Sequence, residues 1–383
     1  MPDRSSLTSS VLDRRGFLRL IGAGGTVAGA GLLLAACSTD SGSGSSSGSS
    51  SSGSSAAAGA TAKAGAFGTI SVALSWIKNS EFAGEYFAVE NGYYTKAGFT
   101  GVTLLAGGGQ TTPTSDVLAG QALVGIAASI QEPASSIAQG AAVKVIGAHF
   151  VRNPSCFLSL AEKTPIRKPA DLKGKNVGIQ AGAGDQVNAF LAANGLKPTD
   201  INGVTVQYDI APLIAGKVDC FLSFSTNEPL LAKADGYTPV LLEFSDYGQP
   251  LVGDCFVVLT DTIANKRDEL KAFLKAEAQG WADAVKDPAK GAGFAVDKYG
   301  KDQNLAIGSA TDEAKAQVAL MSTADTNKHG LFTMTDSLVA GNIKALKELG
   351  TSLTASKLFD LTLLEEVYKE NPDLIVTLPT SAS

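Results

Sequence analysis

Five short stretches of this 383-residue chain carry side chains suited to holding a small polar molecule. In the first, Trp76 offers a flat apolar face and Asn79 an amide that both donates and accepts. In the second, Gly108, Gly109 and Gln110 follow Gly107, and a run of glycines lets backbone approach a guest closely. Ser129 stands just before Gln131-Glu132-Pro133. Gly182, Gly184 and Asp185 form the fourth set, and Asn227 with Glu228 the fifth. Glu228 is able to accept from an exocyclic amine or a ring N–H, or simply to face the N–H groups of the helix that it opens. Trp76 either stacks on a flat ring or packs beneath its own loop. His149 and Asn153 are weaker candidates, placed near a chain crossing.

These residues recur at the same structural place. Ile70, Val72 and Leu74 alternate as in a strand that stops at Ser75-Trp76, and Phe82, Tyr86 and Val89 follow at helical spacing. Val102–Leu105, Leu123–Ala127 and Val143–Gly147 read as further strands, the first two ending in polar loops before a Pro-led helix. Strands alternating with helices imply a parallel sheet whose loops line one edge, where open α/β sheets hold ligands. The pattern repeats with Asn176–Gln180 before Gly182 and Val218–Phe224 before Asn227. From Ile263 the chain turns helical, with Leu270, Phe273, Leu274, Glu277, Trp281 and Val285 on one face. Gly182-x-Gly184 lacks a third glycine, Val187 standing there, so a dinucleotide site is not supported.

The first residues read as an address. Arg14-Arg15 resembles a twin-arginine signal, an apolar run follows, and Leu34-Ala35-Ala36-Cys37 resembles a lipobox with Cys37 as the acylated residue. Asp13 stands where that signal usually has Ser or Thr, which leaves the export route open. The Ser/Gly-rich stretch to Ala66 suits a flexible tether with a reach of roughly 30 Å. Without residues 1–36, 27 basic residues face 35 acidic ones, a net of −8, which argues against nucleic acid as a partner. Cys156, Cys220 and Cys255 remain, and one pair is free to bridge in any of three ways. With His149 and His329 the only histidines, the inventory supports no metal site and no Cys-His nucleophile.

The order of ISVALSWIKNSEFAGEYFAVENGYY, GGGQTTPTSDVLAGQALVGIAAS, PADLKGKNVGIQAGAG and GKVDCFLSFSTNEP resembles the substrate-binding proteins of ABC importers. Within them it is similar to the thiamine-pyrimidine-precursor and alkanesulfonate/nitrate/taurine-type family. That resemblance implies an α/β, two-lobed periplasmic-binding-protein-like type II fold with a helical C-terminal region. It implies residues 1–36 as export signal, 37–66 as lipidated cysteine and tether, 67–156 with 257–383 as one lobe, and 157–256 as the other. It also implies a monomer that uses no cofactor and hands a small solute to a permease and its ATPase. Fungal pyrimidine synthases share the fold, but their cysteine-rich motif has no counterpart here, which argues against an enzyme.

Overall fold

Apolar alternation makes β1 (Gly68–Ala73), with Ile70 and Val72 entering one hydrophobic cluster and Ala73 the cluster on the opposite face. The computed structural model describes residues 65–109 and 111–379. The arginine pair, Cys37, the Ser/Gly-rich stretch and Gln110 lie outside them.

The remaining strands are β2 (Phe99–Leu105), β3 (Val124–Ser129), β4 (Val143–Phe150), β5 (Ser155–Leu160), β6 (Asn176–Gln180), β7 (Asn202–Val206), β8 (Cys220–Phe224), β9 (Pro239–Glu243) and β10 (Gly253–Leu259). They form two five-stranded sheets, ordered β2-β1-β3-β10-β4 and β7-β6-β8-β5-β9. The chain passes from the first sheet to the second between β4 and β5, and returns between β9 and β10. The expected parallel sheet is in fact mixed. β1 pairs in parallel with β2 and β3, but β10 runs antiparallel between β3 and β4, and β5 antiparallel to β8 and β9. Each inserted strand enters its sheet directly from the other one, without the crossover helix that sets parallel direction.

Eleven helices bear on the cleft or its support: α1 (Ala83–Glu90), α2 (Tyr93–Ala97), α3 (Pro113–Leu118), α4 (Gln131–Ala138), α5 (Gly184–Ala193), α6 (Ala211–Ile214), α7 (Glu228–Ala234), α8 (Thr260–Asn265), α9 (Arg267–Lys286), α10 (Pro288–Phe294) and α11 (Ile307–Ala316). Buried Leu270, Phe273, Leu274 and Trp281 place the apolar stripe of α9 against α1 and the first sheet. The α1–α9 crossing is close enough that a Cβ on Gly280 would lie 2.2 Å from the Gly84 carbonyl oxygen. Near the end of the described chain two short helices, Ala355–Leu358 and Thr362–Glu370, are separated by Phe359, which bridges Val145. Cys156, Cys220 and Cys255 are buried, free thiols on three different strands. Among the described residues no helix is long and apolar enough to cross a membrane.

Candidate functional site

The loops that leave β1, β2, β3, β6 and β8 converge on one cleft between the sheets, enclosing about 780 Å³ counted out to its open mouth. From the first sheet's side come Trp76, Gly108, Gly109 and Ser129, and from the second's Gly182, Asn227 and Glu228. Trp76 is held in place by its own carbonyl, which accepts from the Gly107 N–H at 2.7 Å. Its indole Nε1 is buried and meets no acceptor among the described residues. Glu228 opens α7, and its Oε2 accepts from Ser223 Oγ at 2.9 Å and Phe224 N at 3.0 Å. Asn227 precedes it without using its side chain as a helix cap.

Five of the candidate residues have other places. Asn79 does not line the cleft: its Nδ2 donates to Glu313 Oε1 at 2.7 Å and its Oδ1 accepts from Glu81 N, capping the short helical turn Ser80–Phe82. Gly184 begins α5 outside the lining. Asp185 sits at the rim, where its Oδ2 accepts from Ser135 Oγ of α4 at 2.7 Å. His149 lies in the core, where burial pushes it down to about 3 and keeps it neutral. Asn153 is spent on the backbone, donating to Gln249 O at 2.6 Å.

Two lining acids were missed from the sequence, Glu81 and Glu132. Glu132 accepts from Thr114 N at 3.0 Å, at the positive end of α3. Ser75 Oγ lies 2.7 Å from Glu81 Oε1 and 3.2 Å from Asp254 Oδ1. A hydroxyl has one proton to give, so both contacts are satisfied only when one of the two carboxyls is itself protonated. Asp254 holds φ +45°, a strained value for a residue with a side chain, which turns its carboxyl under the cleft floor. Burial, reinforced by Glu228, pushes Glu81 up to about 7 against the lowering hydrogen bond from Ser75. Burial likewise raises Glu132 and Glu228, and raises Asp254 further with help from Glu81. Among the described lining residues there is no Lys or Arg.

The sign of the resulting pH dependence is fixed. A carboxyl whose folded pKa stands above 4.5 contributes stability that is present below that value and is lost as pH rises through about 7. Glu81→Gln is therefore expected to melt increasingly above the parent as pH goes from about 5 to about 8. Thermal denaturation across that range checks it, and a constant difference would refute the assignment to Glu81.

The two sides of the cleft touch. Tyr208, beyond β7, meets Trp76 edge to face with ring centroids 6.0 Å apart. A Cβ on Gly182 would lie 2.8 Å from Thr112 Cγ2, and Gly182 also has φ +83°, so only glycine fits there without strain. Ser135–Asp185 is the hydrogen-bonded clasp at the rim. Asp185→Ala, which removes it, is expected to lower the melting temperature slightly, as one partly exposed hydrogen bond contributes roughly 0.5–1.5 kcal/mol. Thermal denaturation reads the change, and a melting temperature equal to the parent's would show that the clasp adds nothing to the contact between the two sides.

Two five-stranded sheets joined by two crossings, with a cleft at their loop ends and helices following, define the periplasmic-binding-protein-like type II class. The nitrate-binding protein NrtA of Synechocystis PCC 6803 has this fold, matching with TM-score 0.60 over 84% of this chain and 94% of its own at 14% identity. The family model described as "NMT1/THI5 like" matches residues 79–291, more than half of the chain, which therefore belongs to that family. Among curated relatives, the riboflavin-binding protein RibY of Chloroflexus aurantiacus is 25% identical over 232 residues, 57% of this chain and 63% of that protein. The formylaminopyrimidine-binding protein of Halalkalibacterium halodurans is 25% identical over 233 residues, 58% of this chain and 68% of its own.

Proposed function

We propose that this protein is the extracytoplasmic solute-binding component of an ABC importer, and that its solute is a small heteroaromatic amine of the thiamine-pyrimidine-precursor type. The observation that carries this reading is the lining itself: Glu81, Glu132 and Glu228 beside the Trp76 ring, with no basic side chain among the described lining residues. Carboxylates at a stacking face suit a ring bearing amino groups, whereas a sulfonate or nitrate would meet repulsion. Solute touching both sides favours the closed arrangement by the contacts it gains there, and a permease with its ATPase reads that closure. No bond in the solute changes, and the three thiols, buried on strands, offer no nucleophile.

In this reading residues 1–36 direct export, acylated Cys37 anchors the chain at the outer face of the cytoplasmic membrane, and 37–66 tether it. One lobe is built on the first sheet and takes in all of β10 (Gly253–Leu259), the other on the second sheet with all of β5 (Ser155–Leu160), so the lobes part a few residues before the 156/157 and 256/257 boundaries expected from sequence, and the protein works as a monomer. Gln110 joins Gly108, Gly109 and Ser129 as a solute contact, with Asn227 and Glu228 opposite.

A thermal-shift screen over aminopyrimidine thiamine precursors, flavins, sulfonates, taurine and nitrate tests the proposal, because a ligand of the native state raises its melting temperature. Aminopyrimidines are expected to stabilise the protein and to change its fluorescence, and Trp76→Ala is expected to abolish that change while the buried Trp281 continues to emit. A screen in which sulfonates or nitrate alone raise the melting temperature overturns the heteroaromatic assignment. A flavin as the sole hit replaces the pyrimidine with a larger ring system.

A further inference from the structure

Away from the cleft, a second polar cluster is sealed in the core of the first sheet. Glu85 enters it from α1, His149 from β4 and Glu277 from α9, all 0–1% exposed. One ligand-type atom of each lies within 4.8 Å of the others. His149 Nε2 stands 3.3 Å from Glu85 Oε1, yet neither atom makes a hydrogen bond. Glu85 Oε2, His149 Nδ1 and Glu277 Oε2 also make no well-formed hydrogen bond among the described residues, and an N–H donor beside Glu85, the Trp281 indole, is itself unpaired. The other Glu277 oxygen accepts from the Tyr94 hydroxyl. Rings of Phe150, Phe256, Trp281 and Phe332 surround the imidazole.

Orphaned lone pairs gathered at one point in an apolar core call for a partner, since buried polar atoms in native proteins are nearly always satisfied. Among the described residues no buried Lys or Arg is present to neutralise the two carboxyls. A cation would do both tasks at once. Two ligands each about 2.0 Å from a tetrahedral ion stand about 3.3 Å apart, which is the separation of His149 Nε2 and Glu85 Oε1. One imidazole and two carboxylates form a borderline N/O donor set suited to zinc, manganese or ferrous iron rather than to calcium or copper(I). We propose that Glu85, His149 and Glu277 hold one divalent first-row transition-metal ion in a structural site. The ion would tie α1, β4 and α9 together beneath the sheet, separate from the solute and independent of its identity. Since the cluster is closed to solvent, loading belongs to folding.

The test is metal analysis of the whole protein, produced in media supplemented with zinc, manganese, iron or cobalt and purified without chelator. About one ion per chain is expected from at least one medium, and the cobalt form is expected to show visible d–d absorption. Glu85→Gln and Glu277→Gln are each expected to lose the ion and to melt below the parent. Less than about a tenth of an ion per chain from every medium overturns the proposal. So do glutamine variants that melt at or above the parent, because removing an unneutralised buried charge relieves the core. Solute binding is read separately, so failure of the metal site leaves the cleft untouched, and the reverse.

Discussion

Glu228→Gln is expected to weaken binding of an aminopyrimidine by roughly 10- to 100-fold, with little change in the fold. The carboxyl is oriented by Ser223 and the Phe224 N–H, and both bonds land on Oε2, an atom position that glutamine preserves. The substitution removes the charge, and a hydrogen bond to a charged group contributes about 1.5–3 kcal/mol. Burial raises the Glu228 pKa, so glutamine removes a group costly to ionise, and the variant is expected to be as stable as the parent or slightly more so. Calorimetric titration against the thermal melt separates the two effects. Unchanged affinity in a well-folded variant would remove Glu228 from the site and leave it as a helix-start carboxylate.

Gly280→Ala is the second large expectation, and it concerns the support of the cleft. The added methyl would lie 2.2 Å from the Gly84 carbonyl oxygen and 2.8 Å from the Ala88 Cβ, both on the facing helix. Neither neighbour is a flexible side-chain end, so α1 must move away from α9. Overpacking of this kind costs about 1–3 kcal/mol. That outweighs the roughly 1 kcal/mol alanine gains over glycine within a helix. Gly293→Ala in α10 is the control: nothing lies within 4 Å of its added methyl, so only the helix gain remains. The melting temperature is expected to fall in the first variant and to hold or rise in the second. Equal stabilities would mean that the two helices have slack at their crossing.

Much of the scaffold was legible because local pattern and burial agree. Ile70, Val72 and Leu74 alternate, and all three are buried in one cluster. Leu270 through Trp281 repeat at helical spacing and bury that stripe. Trp76, Gly108, Gly109, Ser129, Gly182, Asn227 and Glu228, all at or just beyond strand ends, lie along one cleft. What stayed hidden depends on partners far along the chain. Asn79 looks like a ligand amide, and the same chemistry serves Glu313, 234 residues later. Glu81 reads as an ordinary helix-start acid until Asp254, from β10, arrives beneath it. Glu85, His149 and Glu277 show no metal spacing because they come from two helices and a strand that only the finished fold brings together. The direction of β10 was equally invisible, since periodicity reports burial and not polarity.

The place of β10 has a consequence for biosynthesis. Between β3 and β4 there is a slot that only residues 253–259 fill, and they leave the ribosome after every strand of the second sheet. A nascent chain halted before Gly253 would therefore expose two unpaired inner edges, the kind of surface that invites aggregation. The half of the molecule made first is the half that must wait longest to close.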